Sequence, residues 1–365
     1  MQFRYNKITV KIGSNVLTKP DGTLNVSQIA HLVDQISFLR KNGVEIVLVS
    51  SGAVAAGRAV LRPTKKIDTI SKRQLWSALG QIKLINRYSD FFGEHDLVCA
   101  QVLTTKENFS SRVHYLNMKN CFTTLLENRV VPIVNENDTI SVTELMFTDN
   151  DELSALIASM VNSEALIILT NVDGVYNANP KSKNAQLIEQ IELKDKKPEE
   201  GISTEQSDFG RGGMLTKYRI AKKVAGDGIG VHIANGTTEN VLINLMNTQF
   251  NLRHTYFVPN PKLANSVKKW IAYSDDFAKG KVVVNQGAAD ALNSDKAVSL
   301  LPRGIIKVSA KFKKDDLIKI TDEQGNLIGV GKANYSSDKI ESEKLIEKQR
   351  PTVHYDYLYI ETKNK

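Results

Sequence analysis

Strand-length apolar runs alternate with helix-length periodic stretches through the first two thirds of the sequence, and this alternation restricts the possible folds more than any other feature. Short apolar runs occupy 8–12, 44–49, 97–103, 130–134, 165–169 and 231–234. Between them, apolar residues at helical spacing predict helices over 26–39, 71–92, 112–127 and 214–225. A further helix runs through Leu153, Leu156, Ile157 and Met160, capped by Asp149 or Asn150. Strands that alternate with helices build a mostly parallel open sheet with helices on both faces, so the fold class is α/β.

Five polar clusters follow directly on these runs: Gly13-Ser14-Asn15, Ser50-Ser51-Gly52, Asn135-Glu136-Asn137-Asp138, Thr170-Asn171 and Asn235-Gly236. Any one of them alone is more often only a turn. In a parallel sheet, however, all five would converge on the carboxyl edge, where open α/β sheets bind their ligands.

The pattern changes after Phe257-Val258-Pro259-Asn260-Pro261, where two prolines and an asparagine mark a linker. A chain of 365 residues suggests two domains. We read a first domain over 1–258, a linker over 259–276 and a small β-rich domain over 277–357. In the last, strands are expected at 281–285, 304–308, 317–321 and 327–330, with Gly325-Asn326 as a hairpin turn. Tyr355, Tyr357 and Tyr359 alternate as in a packed strand.

No run of 18 apolar residues offers a membrane-spanning helix. The N-terminal Met1-Gln2-Phe3-Arg4-Tyr5-Asn6-Lys7 lacks the features of a secretory signal, which leads us to expect a cytoplasmic protein. Cys99 and Cys121 form no CxxC and are read as reduced core residues. The net charge is +8, with 19 Lys/Arg against 14 Asp/Glu from residue 260 onward. Such a mild excess suits anionic small molecules as readily as a polynucleotide.

The sequence contains no GxxxxGK[ST], GxGxxG or HExxH, and its six histidines show no metal spacing. What it does contain is a glycine-rich segment, Phe209-Gly210-Arg211-Gly212-Gly213-Met214-Leu215-Thr216-Lys217, that runs into a helix. Such a segment can turn backbone amides and a helix N-terminus toward a phosphate, although it can equally be a tight turn. Lys11, near the end of a buried strand, must either reach solvent or meet a negative partner. Asp149-Asn150-Asp151 supplies carboxylates that helix capping alone would also explain. Two lysines, a glycine-rich loop and acidic residues on one sheet edge together suit phosphoryl transfer, which needs positioning and charge neutralisation.

Several segments, in order and spacing, resemble the glutamate 5-kinase family. They are Val10-Lys11-Ile12-Gly13-Ser14-Asn15-Val16-Leu17, Val49 to Gly57, Val134 to Asp138, Asp149 to Ala155, and Gly212-Gly213-Met214 with Lys217. Trp270-Ile271, Gly287-Ala288 and Ser299 to Ile305 are similar to that family's C-terminal PUA domain. The first and last kinase segments alone indicate only the wider amino acid kinase superfamily.

The resemblance implies a reaction of ATP with L-glutamate, aided by Mg2+, to give ADP and L-glutamyl 5-phosphate, the first step of proline biosynthesis. The nucleophile would be a carboxylate with an ordinary pKa of about 4.3. It is already ionised at neutral pH, so no general base is required. By resemblance, Lys11 and Lys217 contact the transferring phosphoryl group and Asp151 holds them, while Ser51, Asp138 and Asn150 bind glutamate. Thr170, Asn171, Arg211, Gly212, Gly213, Met214, Leu215 and Thr216, with Lys11 and Lys217, form the ATP site. No protein metal ligand is assigned.

The resemblance also implies feedback inhibition by proline, assembly into dimers or tetramers, and a glutamyl phosphate reductase as the next enzyme. The sequence departs from the family pattern in three places. Asn171 stands where Asp is common, Arg211 where a small hydroxyl residue is common, and Lys313-Lys314-Asp315-Asp316 lacks a glycine. Two other readings remain open: a kinase of the same fold for acetylglutamate, aspartate or a nucleoside monophosphate, and an RNA-binding protein led by its C-terminal domain.

Overall fold

The computed structural model describes residues 2–61, 63–64, 67–110, 112–141, 147, 149–180, 182, 184–195, 213–261, 271, 278–294, 298–340 and 350–360. The chain divides into two compact units, one of Met1–Asn108 with Val113–Leu263 and the other of Ala264–Lys365 with Phe109–Arg112.

The first unit carries strands β1 (Lys7–Ile12), β2 (Glu45–Ser50), β3 (Cys99–Thr104), β4 (Val131–Glu136), β5 (Ala165–Thr170), β6 (Gln190–Ile191), β7 (Gly230–Asn235) and β8 (Thr255–Phe257). Its helices are α1 (Ser14–Leu17), α2 (Val26–Lys41), α3 (Ala53–Val60), α4 (Thr69–Gly93), α5 (Glu107–Ser110), α6 (Arg112–Glu127), α7 (Asn150–Met160), α8 (Met214–Gly226) and α9 (Val241–Met246). The eight strands lie in the order β3-β4-β2-β1-β5-β7-β8-β6. The pairs are parallel except β7 with β8. β1 is therefore central, and its register sets Lys11 opposite Val49 of β2 and Ile168 of β5.

The period-two geometry of β1 sorts its side chains between two layers. Ile8, Val10 and Ile12 are fully buried in a core with Ile29, Leu32, Val33 and Ile36 of α2, Leu84, Tyr88 and Phe92 of α4, and Leu245 of α9. The intervening residues face the other layer: the Thr9 hydroxyl lies 2.8 Å from that of Ser163, just past α7. Lys11 shares this face, and burial of such a side chain requires an anion nearby.

Each boundary has a local cause. The Asn25 side chain accepts the backbone N–H of Gln28 at the start of α2, and Gly43 just beyond its end has a φ of +91°. Asp149 accepts the N–H groups of Asp151 and Glu152, so the capping role read for it holds. Helix α3, which has no counterpart in the sequence reading, starts at Gly52 with a φ of +104°, a left-handed conformation that favours glycine. It packs so closely on α4 that a Cβ on Gly80 would stand 1.7 Å from the Ala53 carbonyl oxygen.

Strand β8 extends the sheet where the sequence suggested the approach to a linker, and Phe257 within it is buried. Most of the expected linker, including Trp270, lies outside the described residues. The cysteine reading needs correction. Cys121 is exposed on α6 and Cys99 is half-buried, because β3 is an edge strand with one neighbour, β4.

The second unit forms its own five-stranded sheet from β9 (Gly280–Val284), β10 (Ile305–Ala310), β11 (Leu317–Thr321), β12 (Leu327–Lys332) and β13 (Leu358–Ile360), in the order β10-β9-β11-β12-β13. Its separate core includes Val282, Val284, Leu300, Ile318, Ile320, Ile328 and Val353. Gly325, with a φ of +86°, turns the β11–β12 hairpin as expected. The tyrosine stripe is a strand only at its end. Tyr355–Tyr357 is a 3-10 turn in which the His354 side chain accepts the N–H of Asp356, and β13 begins at Leu358. Asp315 has a φ of +73°. It stands in the segment where the resemblance leads one to expect glycine, and aspartate is among the few other residues that adopt this conformation.

Candidate active site

Four of the five polar clusters meet at the carboxyl edge of the sheet, in a cleft of about 460 Å³. Gly13, Ser14 and Asn15 line it from the end of β1, Ser51 and Gly52 from β2, Asn135, Glu136 and Asp138 from β4, and Thr170 from β5. The fifth cluster serves other contacts: the Asn235 amide donates to Asp173 at 3.2 Å, and the Gly236 carbonyl accepts from Gln28 at 2.8 Å.

The floor of the cleft is an ion triad. Lys11 Nζ lies 2.5 Å from Asp151 Oδ1 and Lys217 Nζ lies 2.9 Å from Asp151 Oδ2. Asp151 is 0% exposed, Lys11 4% and Lys217 8%. Burial alone would raise the Asp151 pKa, but the two ammonium groups hold it well below the usual carboxylate range. Burial likewise opposes the charge on Lys217, and Asp151 holds its pKa above the ordinary value. Two cations share one anion, which leaves a net positive charge in a dry setting suited to an anion that gathers charge as it reacts.

Three elements deliver this triad. Lys11 comes from the central strand, Asp151 from the first turn of α7, and Lys217 from the first turns of α8, whose N-cap is Gly213. Gly213, Met214, Leu215 and Thr216 thus lead directly to Lys217, whereas Arg211 and Gly212 lie outside the described residues. Thr170 is buried at the cleft, and Asn171 beside it is exposed and accepts the Thr170 hydroxyl proton at 3.3 Å.

Beside the triad, the Asn150 amide donates to the Ser51 hydroxyl at 3.0 Å and to Asn135 Oδ1 at 3.1 Å. Because Ser51 accepts from Asn150, its own proton remains for an acceptor in the cleft. Asp138 is 6% exposed. Its carboxylate receives the Arg73 guanidinium through Oδ1 and, at 3.4 Å, the Ser77 hydroxyl through Oδ2. Ser51, Asp138 and Asn150 therefore line one cleft with Lys11, Asp151 and Lys217.

Three features escaped the sequence reading. Arg73 reaches in from α4 and also donates to Glu136 Oε2 at 3.3 Å. Glu136 is buried, and burial together with Asp138 pushes its pKa up to about 7. Asp149, read as a cap and as one of the acidic residues of the sheet edge but given no role of its own, is pushed up to about 7 by burial and by Asp151, and its Oδ2 is buried without a hydrogen-bond partner. A sequence signal existed for Glu136 and Asp149, which sit inside the quoted motifs. Nothing local marks Arg73, more than 60 residues from the carboxylates it meets.

Comparison with known proteins agrees with this architecture. The Amino acid kinase family matches residues 6–235 and the PUA domain matches residues 280–348. The chain is 55% identical over 361 residues to the glutamate 5-kinase of Bacteroides thetaiotaomicron, covering 99% of this chain and 100% of that one. It is 45% identical to the glutamate 5-kinase of Chlorobaculum tepidum, covering 98% of each. Among solved structures it is similar to isopentenyl phosphate kinase from T. acidophilum, at 16% identity and a TM-score of 0.49, over 69% of this chain and 99% of that one.

Proposed function

The chain belongs to the glutamate 5-kinase family, within the amino acid kinase family, and from that premise we propose how its residues carry the reaction. The enzyme transfers the γ-phosphoryl group of ATP to the side-chain carboxylate of L-glutamate, giving L-glutamyl 5-phosphate, the first step of proline biosynthesis. The observation that carries the residue assignment is the buried triad of Lys11, Asp151 and Lys217.

A carboxylate attacking a triphosphate faces electrostatic repulsion more than any difficulty in losing a proton. With an ordinary pKa of about 4.3 it is ionised at neutral pH. A nucleophile that is already ionised needs no general base. In this reading the γ-carboxylate oxygen bonds to the γ-phosphorus as the bridging bond to the β-phosphate breaks and ADP leaves with that electron pair. Lys11 and Lys217 neutralise the charge on the phosphoryl oxygens, and Asp151 fixes both ammonium groups so that little reorganisation is needed.

Ser51 donates its hydroxyl proton to substrate carboxylate, Asn150 belongs to the glutamate site by orienting that hydroxyl, and Asp138 takes the α-ammonium. Thr170, Asn171 and the segment Arg211 to Lys217 form the nucleotide site, with the glycine-flanked start of α8 turned to the phosphates. An ionic partner for an α-ammonium favours free glutamate over an N-acetylated acid.

Mg2+ fits this site as a companion of ATP. Such ions use one or two protein carboxylates and otherwise phosphate and water oxygens, and Asp149 offers a buried oxygen without a hydrogen-bond partner. When bound, the ion would neutralise triphosphate charge. Among the described residues no helix is long and apolar enough to cross a membrane, and we propose a cytoplasmic site of action. Inhibition by proline, assembly into dimers or tetramers and delivery of the product to a reductase are proposals from the same family premise. The division at 1–258, 259–276 and 277–357 is likewise a proposal, supported by the separate apolar cores.

The test is ADP release with Mg2+ and ATP, comparing L-glutamate, N-acetylglutamate and L-aspartate, with hydroxylamine trapping the acyl phosphate. Hydroxamate that depends on glutamate is expected. Lys11→Ala and Lys217→Ala should each lower kcat far more than they raise the KM for glutamate. Normal kcat in both variants would overturn the residue assignment.

A further inference from the structure

An α-amino acid presents an ammonium and a carboxylate on one carbon, and a site that recognises its head group needs an anion and a cation side by side. The reading above provides Asp138 for the ammonium. Its cations, Lys11 and Lys217, are both paired with Asp151 where phosphoryl transfer takes place, so the α-carboxylate still lacks a cationic partner.

Arg73 supplies the missing half. Its guanidinium lines the same cleft and contacts the Asp138 carboxylate directly, so an anion and a cation stand together as the head group requires. Glu136, deeper and 3% exposed, accepts from the same Nη2 at 3.3 Å. Its other oxygen accepts the backbone N–H of Phe147 at 2.9 Å. The guanidinium is thus fixed from behind. It has five N–H donors in a planar fork, and the two described bonds both use Nη2.

Two other cations line the cleft. Arg58 is exposed, and its guanidinium lies over the Trp76 ring at 5.0 Å. Lys72 makes no described contact with Asp138. Of the three, Arg73 alone is joined to the proposed ammonium partner.

We propose that Arg73 binds the α-carboxylate of the amino-acid substrate, with Glu136 as the positioning residue that holds its guanidinium beside Asp138. The inference rests on the reading of the substrate as glutamate. Charge balance agrees with it. Two buried carboxylates share one guanidinium: burial and the neighbouring Asp138 charge push Glu136 up to about 7, and burial raises Asp138. The incoming ammonium makes good that deficit, while its attached carboxylate meets Arg73.

The experiment compares L-glutamate with its 1-amide, in which the α-carboxylate is a neutral carboxamide and the γ-carboxylate is intact. Initial rates of ADP release are measured for the full chain and for Arg73→Gln and Arg73→Lys. The wild type should favour glutamate over the amide by about 10- to 100-fold in kcat/KM, as for one hydrogen-bonded charge. In Arg73→Gln the glutamate KM should rise by a similar factor with the ATP KM held, and the preference for glutamate over the amide should collapse toward one. Arg73→Lys, which keeps the charge without the fork, should recover part of the glutamate affinity and guards against misfolding of the glutamine variant.

A glutamate KM unchanged in Arg73→Gln would overturn the assignment. So would equal losses on glutamate and amide, which would mean that Arg73 only holds Asp138. Failure of the wild-type protein to act on glutamate would instead reject the reaction on which the inference rests, so the two failures are distinguishable.

Discussion

At the scale of single residues, Asp151 controls the cleft because it is the shared anion of two buried lysines. Asp151→Asn keeps the shape and removes the charge. Lys11 and Lys217 would then repel each other in a dry site. Breaking a buried ion pair by removing one partner costs about 3–5 kcal/mol, so denaturant unfolding of the variant should shift by an amount of that order. Loss of the group that orients both phosphoryl-contacting cations should lower kcat about 10²- to 10³-fold, comparable to loss of one preorganised donor to transition-state charge. Binding of ATP is expected to hold, since the nucleotide itself brings negative charge to the lysines. Steady-state rates with glutamate and ATP varied in turn separate these effects, and a kcat near wild type would rule out the clamp role.

At the scale of elements, the site depends on how closely α3 lies on α4. Gly80 touches the backbone of Ala53, and a Cβ on Gly57 would stand 1.8 Å from the Trp76 carbonyl oxygen. Gly80→Ala must push α3 away. Overpacking of this kind costs about 1–3 kcal/mol. Because α3 begins next to Ser51 while Lys217 stands on α8, the KM for glutamate should rise more than the KM for ATP. Thermal melts and the two KM values check this, and equal changes in both would count against it. These elements also mark the limit of what the sequence disclosed. Strands β1, β2, β4, β5 and β7 were legible because central parallel strands are mostly apolar and end in polar clusters. α2 was legible from its periodicity and its glycine terminator, and α8 from the glycine-rich segment that runs into it. Helix α3 was not, since Ala-Val-Ala-Ala-Gly-Arg-Ala-Val has no polar face to set against an apolar one, and β8 is too short to show a period. Lys11, Asp151 and Lys217 stood in motifs on chain segments whose ends the sheet gathers. Arg73 reaches its carboxylates only through tertiary packing, which leaves no periodic trace.

At the scale of the whole molecule, stability depends on buried groups far from the cleft in function. His232 on β7 is enclosed: the Tyr5 hydroxyl lies 2.9 Å from Nε2, His254 Nε2 lies 2.9 Å from Nδ1, and Tyr256 stacks on the ring. Burial, then His254, holds its pKa well below the ordinary 6.5, and burial also lowers His254. Below pH 6.5 the unfolded chain therefore takes up protons on these rings that the folded chain refuses. Stability from this source is fully present above pH 6.5 and falls as the pH falls. Glu136 and Asp149 act in the opposite sense. Their folded pKa values of about 7 lie above their ordinary 4.5 and 3.8, so their contribution is present in acid and lost as the pH rises through 7. Because the two sources oppose each other between pH 4.5 and 6.5, the net curve of the wild type does not isolate either one, and a difference does. His232→Gln keeps polar atoms for Tyr5 and His254 but cannot take up a proton. The wild type should be the more stable protein at pH 7.5, and its advantage should shrink by about 1 kcal/mol between pH 6.5 and 5.5, on the way to the limiting slope of about 1.4 kcal/mol per pH unit for one proton. Urea unfolding of both proteins at pH 5.5, 6.5 and 7.5 measures this gap, and a gap that stays constant would mean that His232 is protonated as readily in the folded chain as in the unfolded one.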